Sequence, residues 1–308
     1  MSRAAKIFTH RALRRHHLLG LTALCVILAW SLVWGWTAYH TGKILDSLIA
    51  EIAQDGGKIS FEKRFTGGTP WAIHAHLEPF TLHMKNGNEI KAEEAVFYIN
   101  LWNWKAVSGK LHKDVNVKLM GKTIKAGMIK FGFEKPERIP TDYTETGLSF
   151  WLQPLGVTFE ETPPFALGNS WEEGFFRVRV MGPVPNFMNK RAIAAWNEAS
   201  GVLEFDRFFI NWGPLKVTAN GTLGLDTKLQ PEGAFSGRVS GLDEAIGALA
   251  AQKNMTGSKL TLLRSALNVL SRPSSLTGKS APIIPVSVQS GQFFLGPVKL
   301  LELPAISW

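Results

Sequence analysis

The 308-residue sequence contains one cysteine, Cys25. A single thiol excludes a disulfide framework and any zinc site built on cysteines. Charged residues are also scarce, at 19% against 45% hydrophobic, which excludes disordered and collagen-like chains. Several catalytic signatures are missing. The chain has no His-Glu-x-x-His, and Gly121-Lys122-Thr123 and Gly278-Lys279-Ser280 lack the upstream glycine of a phosphate-binding loop, with Asn116 and Pro273 in its place. No Gly-x-Ser-x-Gly elbow occurs. The carboxylate pairs Glu93-Glu94, Glu160-Glu161 and Glu172-Glu173 point to opposite faces if they lie on strands, which argues against paired acid–base work. The sequence therefore names no catalytic residue, no cofactor and no metal site, and the chain reads as a non-enzyme.

What is present is a placement. Leu18 to Ala38 is free of charge, and its 21 residues reach about 31 Å as a helix, the thickness of a hydrocarbon core. The run is too long for a cleaved signal, and bulky Trp36 stands where a small residue would precede the cut. Leu24 before Cys25 likewise argues against a lipoprotein signal. Arg3, Lys6, Arg11, Arg14 and Arg15 precede the run with no acid among them, which holds the N-terminus in the cytoplasm. Trp30, Trp34, Trp36 and Tyr39 gather at the far end, where amphipathic rings favour the headgroup layer. The expected organisation is a basic cytoplasmic tail (1–17), a transmembrane helix (18–38), a stalk helix (39–57) and a β-rich periplasmic domain (58–308) with helical insertions near 188–200 and 242–271. Localisation in the bacterial inner membrane as a single-pass protein follows.

Within the stalk, Ile44, Leu45, Leu48, Ile49 and Ile52 recur at helical spacing, and Gly56-Gly57 ends the run. The stripe reads as contact with the following domain. A helix lying on the membrane surface would carry more basic residues on its polar face. Beyond Phe65 the period falls to two. Trp71, Ile73, Ala75 and Leu77 alternate with polar or small neighbours, as do Phe80, Leu82 and Met84 before the Asn86-Gly87 turn. Strands are also expected around 115–119, 124–128, 176–180, 202–212, 215–226 and 234–239, with a closing strand pair over 283–301 around Gly296-Pro297. Helical periodicity returns at 188–199, 242–252 and 260–270, and a loop is expected at 272–278. The fold class is mainly β with a few helices (α+β): an N-terminal transmembrane helix and a large antiparallel β-rich domain.

Three patterns bear on binding. His74 and His76 would share one strand face, but no third ligand is suggested nearby, so both read as satisfied or solvent-facing histidines. Eight lysines fall between Lys105 and Lys135 against Asp114 and Glu134, and Lys113, Lys118, Lys122 and Lys125 are the candidates for contact with lipid headgroups. The competing reading is an edge hairpin kept soluble by lysines. In Phe205, Phe208, Phe209, Ile210 and Trp212 apolar groups fall on both faces of one segment. Phe209 reads as packed core, whereas Phe208, Ile210 and Trp212 are the candidates for a lipid groove or, in the alternative, core. Nucleic acid is not an expected partner, because no arginine-rich helix or recognised motif is present.

The order of features resembles a bacterial envelope family called domain of unknown function 2125. The residues that carry the resemblance are Gly68-Thr69-Pro70-Trp71, Trp212-Gly213-Pro214-Leu215, Asn220-Gly221-Thr222-Leu223, Pro231-Glu232-Gly233 and Ser290-Gly291-Gln292-Phe293-Phe294-Leu295-Gly296-Pro297-Val298. The resemblance implies an architecture similar to AsmA-like envelope proteins, whose β-rich grooves are implicated in moving lipids between membranes. The part beyond the anchor is short for a bridge across the envelope, so the implied role is a module or regulator. It carries over no catalytic residue. The partners it implies are the bilayer, a phospholipid or other envelope lipid, and envelope proteins. Three functions remain open: non-catalytic lipid handling, a structural or interaction module of an envelope complex, and an unrecognised hydrolase. A groove lacking convergent polar groups, an exposed apolar patch on a closed core, and a cleft of perturbed acids beside His74 or His76 would respectively distinguish them.

Overall fold

The computed structural model describes residues 3–69, 72–100, 103–119, 121–160, 167–185, 189–241, 244–245, 247–248, 265, 283–296, 298–302 and 305–306. Spanning and stalk segments form one unbroken helix, α1 (Arg3–Gln54). No proline interrupts it, and it stops where Gly56 adopts φ +82°, a conformation that costs glycine nothing. The Gly57 N–H then donates to the Ile52 carbonyl.

Among the described residues sixteen strands follow: β1 (Lys58–Ser60), β2 (Lys63–Thr69), β3 (Ala72–Glu78), β4 (Phe80–His83), β5 (Glu89–Ala92), β6 (Glu94–Asn100), β7 (Asn103–Leu119), β8 (Lys122–Glu134), β9 (Thr146–Phe159), β10 (Ser170–Met181), β11 (Leu203–Trp212), β12 (Leu215–Leu225), β13 (Pro231–Ser240), β14 (Ile283–Gln289), β15 (Gln292–Leu295) and β16 (Val298–Glu302). A short helix, α2 (Lys190–Glu198), separates β10 from β11. Asn189 caps it by accepting from the Arg191 and Ala192 N–H groups, and Ile193 and Trp196 are its buried face. All sixteen strands join one antiparallel sheet, and from β7 to β16 the chain simply meanders from each strand to the next.

The sheet branches at β7. Its first half pairs with β6 as far as Glu94↔His112, and its second half pairs with β5 from Lys91↔Asn116. Lys113 and Asp114, both at positive φ, make the bulge between the halves, and the Glu93 N–H donates to the Lys113 carbonyl across the gap. One arm is thus β2–β3–β6 and the other β1–β4–β5.

The core lies on one face of this sheet beneath α1. Leu45 is buried among Ala75, Leu77, Phe97 and Leu111, with Ile44, Leu48 and Ile49 packed beside it, as the stalk stripe predicted. The docking face extends further toward the membrane than that stripe. Thr41 and Thr37 are buried as well, and the Trp34 indole N–H donates to the Gly68 carbonyl at 2.9 Å. Arg64 of β2 ion-pairs with Asp46 at 2.6 Å and donates to the Gly42 carbonyl at 3.0 Å. β2 therefore runs back along α1 toward the spanning segment.

The expected strands are present, several longer than read. The pieces at 115–119 and 124–128 are the ends of β7 and β8, and the closing pair is three strands, β14 to β16. The helix expected at 188–199 is α2. The helices expected at 242–252 and 260–270, with the loop at 272–278, fall largely outside the described residues.

Candidate functional site

The apolar face can be followed strand by strand through the ladder. Ala75 pairs with Phe97, Phe97 with Gly109, Gly109 with Phe131, and Phe131 with Leu152. Leu152 pairs with Phe176, Phe176 with Phe208, Phe208 with Ala219, and Ala219 with Gly237. Directly opposed residues share a face, so this is one row. Under α1 it is sealed, with Ala75 at 0% exposure. Beyond the helix it opens: Phe131, Phe176 and Phe208 are half-buried and Leu152 is 36% exposed.

A bulge at Asp206 and Arg207 adds one residue to β11 and places Phe205 on the same face as Phe208, Ile210 and Trp212. Phe208 meets Phe176 edge to face at 5.2 Å, and Phe205 meets Phe235 at 5.3 Å. Trp212 packs against both Phe159 and Trp171, which also meet each other, and its N–H donates to the Gly168 carbonyl. Ile210 lies between Gly174 and Val217. All three groove candidates are half-buried. Phe209 departs from the expectation of packed core. It pairs with Phe175 on the opposite face and is itself only half-buried, because alternation turns it away from α1's side of the sheet.

The lysine candidates do not converge. Lys118 and Lys125 share a face near the β7–β8 turn, Lys122 points to the other face, and Lys113 stands at the branch. Lys125 pairs with Glu160 at 3.3 Å, Lys113 with Glu94 at 3.3 Å, and Lys118 lies opposite Glu89. Carboxylates thus take up positive charge that the sequence alone left open.

His76 is a satisfied histidine, as expected, but the sequence does not suggest the groups that gather around it. His76 Nδ1 is 2.6 Å from Glu94 Oε1, and His112 Nε2 is 3.1 Å from Glu94 Oε2. The third group absent from the local sequence comes from β6 and the fourth from β7, because Glu94 and His112 are a direct cross-strand pair. Phe65 stacks on His76 at 4.2 Å, and His74 packs against both His76 and Tyr98. Burial would raise the pKa of Glu94, but hydrogen bonds from His76 and Lys113 and the charge of His112 outweigh it, and the net shift is down. His74 is shifted down from its ordinary value, first by burial and then by His76.

Clefts lie elsewhere. One, of about 800 Å³, is bounded by Ile52, Leu82, Met84, Ile139 and Val184 at the end of α1. A second, of about 650 Å³, is lined by Tyr98, Ser108, Trp151 and Arg177.

Taken together, a helix long and apolar enough to cross a membrane, almost uncovered by protein over its apolar stretch, is packed onto a single antiparallel sheet. The class these features define is a β-rich protein carrying a candidate membrane anchor. The chain belongs to DUF2125, described as an uncharacterized protein conserved in bacteria, whose family model matches residues 136–304. That stretch contains β9 to β16 with the motifs from Trp212 to Val298, whereas Gly68 to Trp71, α1 and the His76–Glu94–His112 cluster precede it. No curated protein matches the chain.

Proposed function

We propose that this is a single-pass inner-membrane protein of the bacterial envelope that holds a lipid chain against the open part of its apolar sheet face, without catalysis. The basic residues before the span hold the N-terminus in the cytoplasm and leave the sheet in the periplasm. The observation that carries the reading is the row from Ala75 to Gly237, buried beneath the anchor helix and half-open from Phe131 to Phe208. An apolar strip that starts at a membrane helix suits an acyl chain, because chain and aromatic rings both leave water. This is an AsmA-like use of a sheet on the scale of one module. The lysine candidates contribute less to it, since Lys113 and Lys125 are held by carboxylates and Lys118 faces one.

The test is mass spectrometry of lipids retained by protein extracted in mild detergent, comparing the native chain with Ile210→Asp. Retained lipid that Ile210→Asp loses while staying folded supports the reading. Absence of lipid from the native protein contradicts it.

A second reading, a docking module of an envelope complex, is favoured by the apolar rim of the 800 Å³ cleft. Ile139 there is 82% exposed, beside exposed Val184. Crosslinking through a photoreactive residue at position 139 in intact cells tests it, with one dominant protein adduct expected.

A further inference from the structure

We infer that His76, Glu94 and His112, with Glu78 beside them, form a binding site for a divalent transition-metal ion of the zinc class at the branch of the sheet. Three strands bring the donors together. His76 and Glu78 share one face of β3, Glu94 opens β6, and His112 lies opposite Glu94 on β7. The donor atoms of His76, Glu78 and Glu94 all lie within 4.8 Å of one another. His112 Nε2 adds a second observation. It is buried without a hydrogen-bond partner, since Glu94 Oε2 stands at ion-pair distance but off the hydrogen-bond direction. A buried nitrogen left in that condition is costly in a purely structural cluster, whereas a metal ion would satisfy it.

The chemistry fits one ion class. Two neutral imidazoles and two carboxylates are borderline donors that suit Zn²⁺ or Co²⁺, and two imidazole ligands argue against Ca²⁺ or Mg²⁺. The two carboxylates balance the double charge of the ion. At zinc–ligand distances of about 2.0–2.2 Å, tetrahedral donors sit roughly 3.3 Å apart. His112 and Glu94, at 3.1 Å, are near that separation already, and His76 and Glu94, at 2.6 Å, would part by about 0.7 Å, within reach of a side-chain rotation. Phe65 stacked on His76 restrains the plane of that ring.

Lys113 is the competitor. Its ammonium contacts Glu94 at 3.3 Å, yet its side chain is 59% exposed and enters from solvent, so an incoming ion can displace it. Removing that charge would therefore tighten binding. The bound ion would tie β3, β6 and β7 together where the bulge at Lys113 and Asp114 interrupts the ladder.

The experiment uses the full-length protein in detergent micelles, stripped with EDTA and titrated with Co²⁺ while visible absorption is followed, then with Zn²⁺ in competition. The native chain is expected to show the d–d absorption of Co²⁺ in a protein site and to release it to Zn²⁺. His76→Ala and His112→Ala should each weaken binding about 100-fold, and Lys113→Gln should tighten it about tenfold, the size of effect that groups around a metal exert. Circular dichroism reports whether each variant is folded. If the histidine variants unfold, Lys113→Gln decides alone: tighter binding supports the site, and unchanged or weaker binding overturns it. A native protein that takes up neither ion, or binds them as well as a folded His112→Ala, also overturns it.

Discussion

The indole N–H of Trp34 donates to the carbonyl of Gly68, joining a residue inside the apolar run of α1 to the β2 strand of the sheet. Trp34 lies four residues before the end of that run, about 6 Å down the helix axis. In a bilayer the end of β2 would stand at the headgroup layer, with the sheet resting directly on its anchor. Trp34→Phe keeps the ring and removes the donor. It should cost up to about 1 kcal/mol of docking free energy, read as faster hydrogen exchange in β2 and β3 with the rest of the sheet unchanged.

The same helix seals the core lower down. Leu45 is 1% exposed among Ala75, Leu77 and Phe97, so Leu45→Ala should destabilise the protein by about 2–5 kcal/mol in chemical denaturation. Asp46→Ala, one residue away, breaks an exposed pair with Arg64 and should cost less than about 1 kcal/mol. Equal effects would mean that α1 is held by its charges rather than by its apolar stripe.

Gly109 occupies the row between Phe97 and Phe131, and a methyl group there would run into the Phe131 ring and the Val96 carbonyl. Gly109→Ala should therefore lower stability by about 1–3 kcal/mol through overpacking, measured by thermal melting. Gly87→Ala is a contrasting control with open space around it, although its φ of +80° adds backbone strain.

Acid should weaken the metal-free protein. Glu94 has a folded-state pKa below its ordinary 4.5, so its contribution is present above that value and is lost as pH falls through the folded value. His74 is lowered from 6.5, so folding favours its neutral form and stability declines as pH falls below 6.5. Both act in one direction. Urea midpoints measured in EDTA should fall steadily from neutral pH to about 4, and Glu94→Gln should flatten the lower part of that curve.

How much of this was legible depended on local alternation. From Ala72 to His83 and from Leu215 to Leu225 apolar and polar residues largely alternate, and strands are found there, whereas β11 is apolar on both faces. β7 and β8 are legible only at their Gly121 turn, because Gly109, Gly127 and Gly132 and the scattered lysines blur the pattern over the rest of their length. The single helix from Arg3 to Gln54 looked like two segments, since composition changes at Ala38 while helical geometry does not. The cluster around Glu94 was hidden for another reason. His76 and Glu94 are 18 residues apart, and only the ladders β3–β6 and β6–β7 bring them to His112. Nothing in the local sequence around Phe208, Ile210 and Trp212 marks the bulge at Asp206 and Arg207, which adds Phe205 to their face.

Whether the half-open face carrying Phe208, Ile210 and Trp212 holds lipid is read most directly from the lipid content of Ile210→Asp set against its melting temperature. A half-buried wall that water can reach tolerates the carboxylate, so a lipid-holding face gives a folded variant that has lost the lipid retained by the native protein. A variant that unfolds or aggregates would show a carboxylate buried without a partner, at a cost of several kcal/mol. That result would make this face packed core and rule out lipid binding there.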